Sequence, residues 1–77
     1  MSASFDRLSQ LCAKRYSVDA SIIKPEGDVF ETLKIDSFQA AELMSELEME
    51  FDVEIPDYEL QDIKTFGALS GAIDARL

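Results

Sequence analysis

Residues 36–51 of this chain read DSFQAAELMSELEMEF and carry the clearest helical pattern in the sequence. Asp36 with Gln39 three residues later is a capping-box pattern in which Asp takes the place of Ser or Thr. Apolar side chains then recur at the spacing that puts them on one face of an α-helix: Ala40, Leu43, Met44, Leu47 and Phe51. We therefore predict a central helix that follows the N-cap Asp36 and turns one apolar face toward a core.

Upstream of this helix, the segment from Ser4 to Tyr16 also has apolar residues at helical spacing, with Ser2 or Ser4 as the N-cap. Cys12 lies on that apolar face, so we interpret it as core filler rather than as a reactive thiol. Residues 17–35 lose the period, and we interpret them as a crossover that apolar residues hold onto the helical core. These residues are Val18, Ile22, Ile23, Val29, Phe30, Leu33 and Ile35.

Downstream, Pro56 and Asp57 precede and cap a short helix predicted over Tyr58–Ile63. Thr65 caps a last helix, in which Gly67 and Gly71 reduce helix stability and are expected to permit close packing. Its predicted inward residues are Phe66, Leu69, Ile73 and Leu77. The chain is thus predicted to be an all-α bundle of three principal helices and one short helix, forming a single domain over residues 1–77.

Charge is distributed unevenly along the chain. The whole sequence has 16 acidic and 7 basic residues, for a net charge of −9, and residues 36–62 contain ten acids and no base. Glu42, Glu46 and Glu50 repeat every four residues on the polar side of the central helix, where like charges repel. Such a field repels nucleic acid and anionic membranes and attracts basic proteins, so we expect a docking surface here, the alternative being a solvated face.

The residue inventory argues against an enzyme. The chain has no His, which removes Ser-His and Cys-His nucleophiles, and its one Cys excludes the usual zinc sites. Asp52, Glu54 and Asp57 do not fit a calcium loop of the EF-hand type. Such a loop needs an acidic or Asn ligand at its fifth position and glycine at its sixth, where this chain has Pro56 and Asp57. A lone cysteine, no visible signal peptide and no apolar run of about 20 residues lead us to expect a cytoplasmic protein without membrane insertion.

The stretch from Leu33 to Phe38, LKIDSF, resembles the signature of the acyl carrier protein family, which is Asp-Ser-Leu or a close variant at the start of the second helix. The resemblance runs from about Phe30 to the end of the chain through Glu42-Leu43, Leu47-Glu48, Phe51, Ile55-Pro56-Asp57 and Thr65. It implies a non-enzymatic carrier whose 4′-phosphopantetheine arm, taken from coenzyme A, is joined to Ser37 through a phosphodiester. Asp36 is then the flanking N-cap, and a helix N-terminus is a favourable place for a phosphate.

The resemblance also implies partners, and the residues suggest where they dock. Phe38 and Met49 are expected on the outward side of the central helix, and Glu42 and Glu48 match acidic docking positions of the family. The expected partners are a phosphopantetheinyl transferase, a loading ligase or acyltransferase, and downstream synthases. The chain itself is expected to be a monomer.

Some residues depart from the family pattern. Lys34 stands where glycine is common, Ile35 where a small residue is common, Phe38 where leucine is usual and Gln39 where an acid is usual. These departures suggest a specialised carrier, with fatty acyl, aminoacyl, D-alanyl, peptidyl and polyketide cargo all left open. The alternative is an unmodified acidic helical adaptor that docks to a basic protein; an acidic binder of divalent ions is a third hypothesis.

Overall fold

The computed structural model describes residues 3–77, with every side chain in that range except that of Asp57. Within this range five α-helices follow one another: Ala3–Tyr16 (α1), Val29–Leu33 (α2), Ser37–Phe51 (α3), Asp57–Leu60 (α4) and Phe66–Asp74 (α5). A 3₁₀ turn over Ala20–Ile22 lies between α1 and α2. The long helices α1, α3 and α5 form a bundle in which α1 packs against α5. The predicted all-α architecture of three principal helices is confirmed.

The core is built from the apolar faces of the three long helices. Its fully buried side chains are Leu8, Cys12, Leu43, Leu47, Phe66, Leu69 and Ile73. The crossover contributes four further buried side chains: Ile23, Val29, Leu33 and Ile35. Two predicted core residues are wrong: Leu77 is 70% exposed because α5 ends at Asp74, and Ile22 is 46% exposed on the 3₁₀ turn.

Within the crossover, the one-turn helix α2 has no counterpart in the sequence prediction. Asp28 caps it by accepting a 3.0 Å hydrogen bond from the Glu31 amide. A five-residue helix is too short to produce a hydrophobic period, which explains the omission. Helix α4 is also shorter than predicted and begins after Pro56, which makes no side-chain cap. The predicted capping role of Asp57 lies outside the described side chains.

The N-terminus of α1 differs from the prediction as well. Ser4 is not an N-cap: it lies inside α1, is buried, and donates its hydroxyl to the Asp74 carboxylate at the end of α5. The alternative cap, Ser2, lies outside the described residues. Ser4 therefore joins the two packed helices rather than starting one of them.

Three helices end with the same backbone device. A residue in the left-handed conformation follows each helix: Ser17 (φ 55°), Lys34 (φ 57°) and Asp52 (φ 56°). The next amide then reaches back five residues, from Val18 to Ala13, from Ile35 to Phe30 and from Val53 to Glu48. This is the Schellman type of helix end, usually marked by glycine. None of the three residues is glycine, so the sequence did not indicate this left-handed conformation.

The crossover is joined to the start of α5 by backbone hydrogen bonds. The Gly67 amide donates to the Pro25 carbonyl at 2.8 Å, the Phe66 amide to the Gly27 carbonyl at 3.1 Å, and the Val29 amide to the Lys64 carbonyl at 2.8 Å. A Cβ on Gly67 would lie 2.9 Å from the Pro25 carbonyl oxygen, whereas one on Gly71 would meet nothing within 4 Å. The prediction of close packing is therefore confirmed for Gly67 and is wrong for Gly71.

These two glycines give a matched pair of substitutions. Gly67→Ala should lower the free energy of unfolding by about 1–3 kcal/mol, because the new methyl group meets fixed backbone. Gly71→Ala should raise it by about 0.5–1 kcal/mol, because alanine favours the helix and the site is open. Urea titration followed by far-UV circular dichroism measures both. Equal stabilities for the two variants would contradict the close contact with Pro25.

Cys12 lies in the core as predicted, and burial raises the pKa of its thiol to about 12, a rise that the nearby Arg15 charge partly opposes. The unfolded thiol ionises near pH 8.5, so above that pH the unfolded chain loses a proton that the folded chain keeps. Stability contributed by Cys12 is therefore present below pH 8.5 and is lost as pH rises, by about 2 kcal/mol at pH 10.

The expected result is that the stability difference between the wild type and Cys12→Ala shrinks between pH 8 and pH 10, in paired urea titrations. The other titrating groups are common to both proteins and cancel. The native thiol should also react with a thiol reagent only as fast as the chain opens. Rapid labelling at pH 8 would show that Cys12 is accessible.

Candidate functional site

The N-terminus of α3 is held by the capping box predicted from the sequence. The Gln39 amide donates to Asp36 Oδ1 at 2.8 Å, and the Asp36 amide donates to Gln39 Oε1 at 3.2 Å. Ser37 is consequently the first residue of α3, with an exposed side chain. Its hydroxyl makes no hydrogen bond to any other residue that the structure describes, so a covalent group on this oxygen would displace no described contact.

The three residues before Ser37 place it at the surface. Lys34 ends α2 in the left-handed conformation at φ 57°, Ile35 is buried, and Asp36 is extended. The backbone therefore turns sharply at Lys34, the Ile35 side chain packs in the core, and α3 begins at the surface with Ser37. A glycine would adopt the backbone conformation of Lys34 without strain, whereas a non-glycine residue there costs about 1 kcal/mol or more.

A cavity of about 330 Å³ opens beside Ser37. Exposed residues form its rim, namely Ser37, Ala41, Gln61 and Lys64, whereas buried residues form its base, namely Val29, Leu43, Met44 and Leu69. Half-buried Phe30, Ala40, Leu60 and Ile63 complete the wall. A chain attached to Ser37 thus starts on the rim of an apolar cavity, which can take the apolar end of such a group. The sequence did not reveal this cavity, because its wall comes from α2, α3, α4, α5 and the segment between α4 and α5.

The outward side of α3 carries an exposed stripe formed by Phe38, Glu42, Ser45 and Met49. Residues at this spacing share a helix face, and the stripe is about 16 Å long at 1.5 Å per residue. Phe38 is 73% exposed and Met49 76% exposed, which confirms their predicted outward positions. The stripe therefore combines apolar ends with a carboxylate between them, a composition suited to a protein partner.

Of the three glutamates Glu42, Glu46 and Glu50 on α3, two form ion pairs with α1 and one lies on the exposed stripe. Glu46 pairs with Arg15, and Glu50 pairs with Arg7 at 2.7 Å, so both carboxylates turn toward α1. The Arg7 guanidinium also lies 4.5 Å from the centre of the Phe51 ring. Glu42 has no ion-pair partner in the part of the chain that the structure describes, which leaves it available on the exposed stripe.

Glu48, the other predicted docking acid, makes a contact within the chain. It is half-buried, and its Oε2 accepts a 3.0 Å hydrogen bond from the Ile55 amide. This bond holds the turn after α3 against the helix. Docking by Glu48 stays a prediction, alongside this structural role.

Neither a metal centre nor a membrane span is found in the described part of the chain. No three His, Cys, Asp or Glu side chains of the described residues gather closely enough to hold a metal ion. No helix over those residues has both the length and the hydropathy to cross a bilayer.

Comparison with known proteins gives consistent matches. The family described as "Phosphopantetheine attachment site" matches residues 6–73. The acyl carrier protein of Helicobacter hepaticus is 38% identical over 72 residues, covering 94% of this chain and 95% of that protein. The acyl carrier protein of Clostridium acetobutylicum is 34% identical over 71 residues, covering 92% of each.

A solved structure supports the fold separately. The acyl carrier protein from Enterococcus faecalis superposes with a TM-score of 0.81, covering 96% of this chain and 94% of that chain. At 24% sequence identity this similarity establishes the arrangement of the helices.

The two acids Glu48 and Glu42 should differ in their effect on stability. Glu48→Ala should lower the free energy of unfolding by about 1–2 kcal/mol, because the Ile55 amide loses a charged acceptor in a half-buried position. Glu42→Ala, at an exposed position of the same helix, should change it by less than about 0.5 kcal/mol. Urea titrations of both variants provide the comparison, and a neutral effect of Glu48→Ala would mean that the Glu48–Ile55 contact is not stabilising.

Proposed function

The chain belongs to the acyl carrier protein family, a family of non-catalytic carriers that hold acyl groups on covalent 4′-phosphopantetheine, and we propose that Ser37 is the residue that bears this arm. The observation that carries the proposal is the position of Ser37. It is the exposed first residue of a capped fifteen-residue helix, its hydroxyl makes no hydrogen bond to another described residue, and it lines an apolar cavity.

The local chemistry suits a phosphodiester. The first amides of a helix have no intrahelical acceptor, and the helix dipole places partial positive charge at this end. Asp36 uses its carboxylate on the Gln39 amide, within the helix end, so Asp36 serves to hold the start of α3 in place. Ser37 then presents its oxygen outward, where a transferase can reach it.

The cavity supports an acyl cargo with an apolar end. Its base consists of buried aliphatic and thioether side chains, which gain from contact with apolar atoms and offer no partner to a charged group. A fatty acyl or other alkyl chain, folded back from the arm, fits this chemistry better than a charged aminoacyl group.

We also propose that this carrier is specialised, with its own partners. Gln39 keeps the capping box while removing a negative charge near Ser37, and Phe38 presents a ring on the exposed stripe. Family membership implies a phosphopantetheinyl transferase and acyl-processing enzymes as partners. The stripe from Phe38 to Met49 is the surface we assign to them, with Glu42 as its charged contact; a cytoplasmic setting stays a prediction.

Attachment at Ser37 is tested by intact-mass spectrometry. Incubation with coenzyme A, Mg²⁺ and a broad-specificity transferase should add one phosphopantetheinyl group to the wild type and none to Ser37→Ala. Ser37→Ala should fold normally, because the N-cap is Asp36 and alanine favours helix. Ser45→Ala, at another exposed serine of α3, should be modified like the wild type. An unmodified wild-type chain would support the adaptor alternative, and modification of Ser37→Ala would place the arm elsewhere.

Docking through Glu42 is tested by stopped-flow or surface-based kinetics with the transferase. Glu42→Lys should slow association, because exposed charges act mainly on the encounter rate, and added salt should slow the wild type similarly. Glu46→Lys is the contrasting variant, since Glu46 already pairs with Arg15. It should act mainly through lower stability. Association that is indifferent to both Glu42→Lys and salt would show that the stripe does not steer partners.

A further inference from the structure

The basic residues of this acidic chain fall into two groups. Arg7, Arg15 and Arg76 each pair with a glutamate, namely Glu50, Glu46 and Glu59. Lys14, Lys24, Lys34 and Lys64 have no ion-pair partner in the part of the chain that the structure describes. Of these four, only Lys64 lines the cavity that Ser37 also lines.

The position of Lys64 is set by backbone contacts. Its carbonyl accepts a 2.8 Å hydrogen bond from the Val29 amide, and the next residue, Thr65, caps α5 through a 3.1 Å bond to the Ala68 amide. The backbone of Lys64 is therefore held in place where its side chain lines the cavity. Lys64 and Ser37 are both exposed, and both line this cavity of about 330 Å³. The long, flexible side chain of a lysine at this position can bring its ammonium group toward a charged group on Ser37.

The residues near Ser37 in the sequence carry negative charge, which a cation beside the phosphodiester would partly neutralise. Asp36 precedes Ser37 directly, Glu42 lies on the same helix, and the chain has a net charge of −9. A phosphodiester on Ser37 adds another negative charge that the nearby carboxylates repel. An ammonium group is a good partner for a phosphate oxygen, since it donates hydrogen bonds in any direction.

We infer that Lys64 holds the phosphodiester of the arm on Ser37 through an ion pair at the cavity that both residues line. Lys64 is thus a positioning residue, which directs the first part of the arm toward the cavity rather than along the acidic face of α3. Lys34 is closer in sequence but does not line the cavity. The inference rests on the proposed attachment at Ser37.

The test uses ³¹P NMR of the modified protein, in which the phosphodiester gives its own resonance. In the wild type this resonance should move as NaCl is raised from about 20 mM to about 500 mM, because salt screens an exposed ion pair. Lys64→Gln should abolish that response and place the resonance near the high-salt wild-type position. Lys64→Arg should retain it, and Lys34→Gln and Lys14→Gln should behave as the wild type.

A nuclear Overhauser contact between the Lys64 Hε protons and the arm's first methylene should accompany the salt response. Unchanged ³¹P behaviour in Lys64→Gln, or a loss in Lys34→Gln instead, would overturn the inference while leaving attachment at Ser37 intact. Intact mass separates the two claims: a chain that gains no arm at Ser37 overturns the proposed function and this inference together. Circular dichroism melts confirm that each variant is folded before it is compared.

Discussion

Two hydrogen bonds exchanged between Asp36 and Gln39 set the first residue of α3, and the directions of the other side chains on this helix follow from it. Because a helix turns by about 100° per residue, fixing its first residue fixes the direction of every later side chain. Ser37 then lies at the exposed end, Leu43 and Leu47 turn into the core, and Phe38 faces outward. One capping arrangement thereby orients the attachment serine, the core face and the docking stripe together.

Several of the acidic side chains make contacts within the protein. Glu46 and Glu50 bind arginines of α1, Glu59 binds Arg76, and Glu48 holds the Ile55 amide. These carboxylates hold elements of the bundle together. The charge left for partners is carried by acids such as Glu42, which lies between two exposed apolar side chains. Selectivity for a partner can then come from the apolar ends of the stripe, with charge acting mainly on the rate of encounter.

The sequence alone predicted the features that depend on local spacing. The capping box, the apolar faces of α1 and α3, the Thr65 cap and the outward positions of Phe38 and Met49 all follow from intervals of three or four residues. Ser37 as the candidate attachment residue came from the same region, through the resemblance of its neighbours to a family signature. Features of this kind need no knowledge of what lies across the core, because successive residues of each pattern are only three or four positions apart.

Contacts between distant segments were decided only by the tertiary structure. The pairing of Arg7 with Glu50, the close approach of Gly67 to Pro25, and the cavity shared by Ser37 and Lys64 each join residues more than 25 positions apart. No local period encodes such pairs, so Gly67 and Gly71 look alike in sequence although only one meets backbone. The left-handed conformation of Ser17, Lys34 and Asp52 was not predicted, because none of them is glycine and the hydrogen bonds that close these helix ends appear only in the structure.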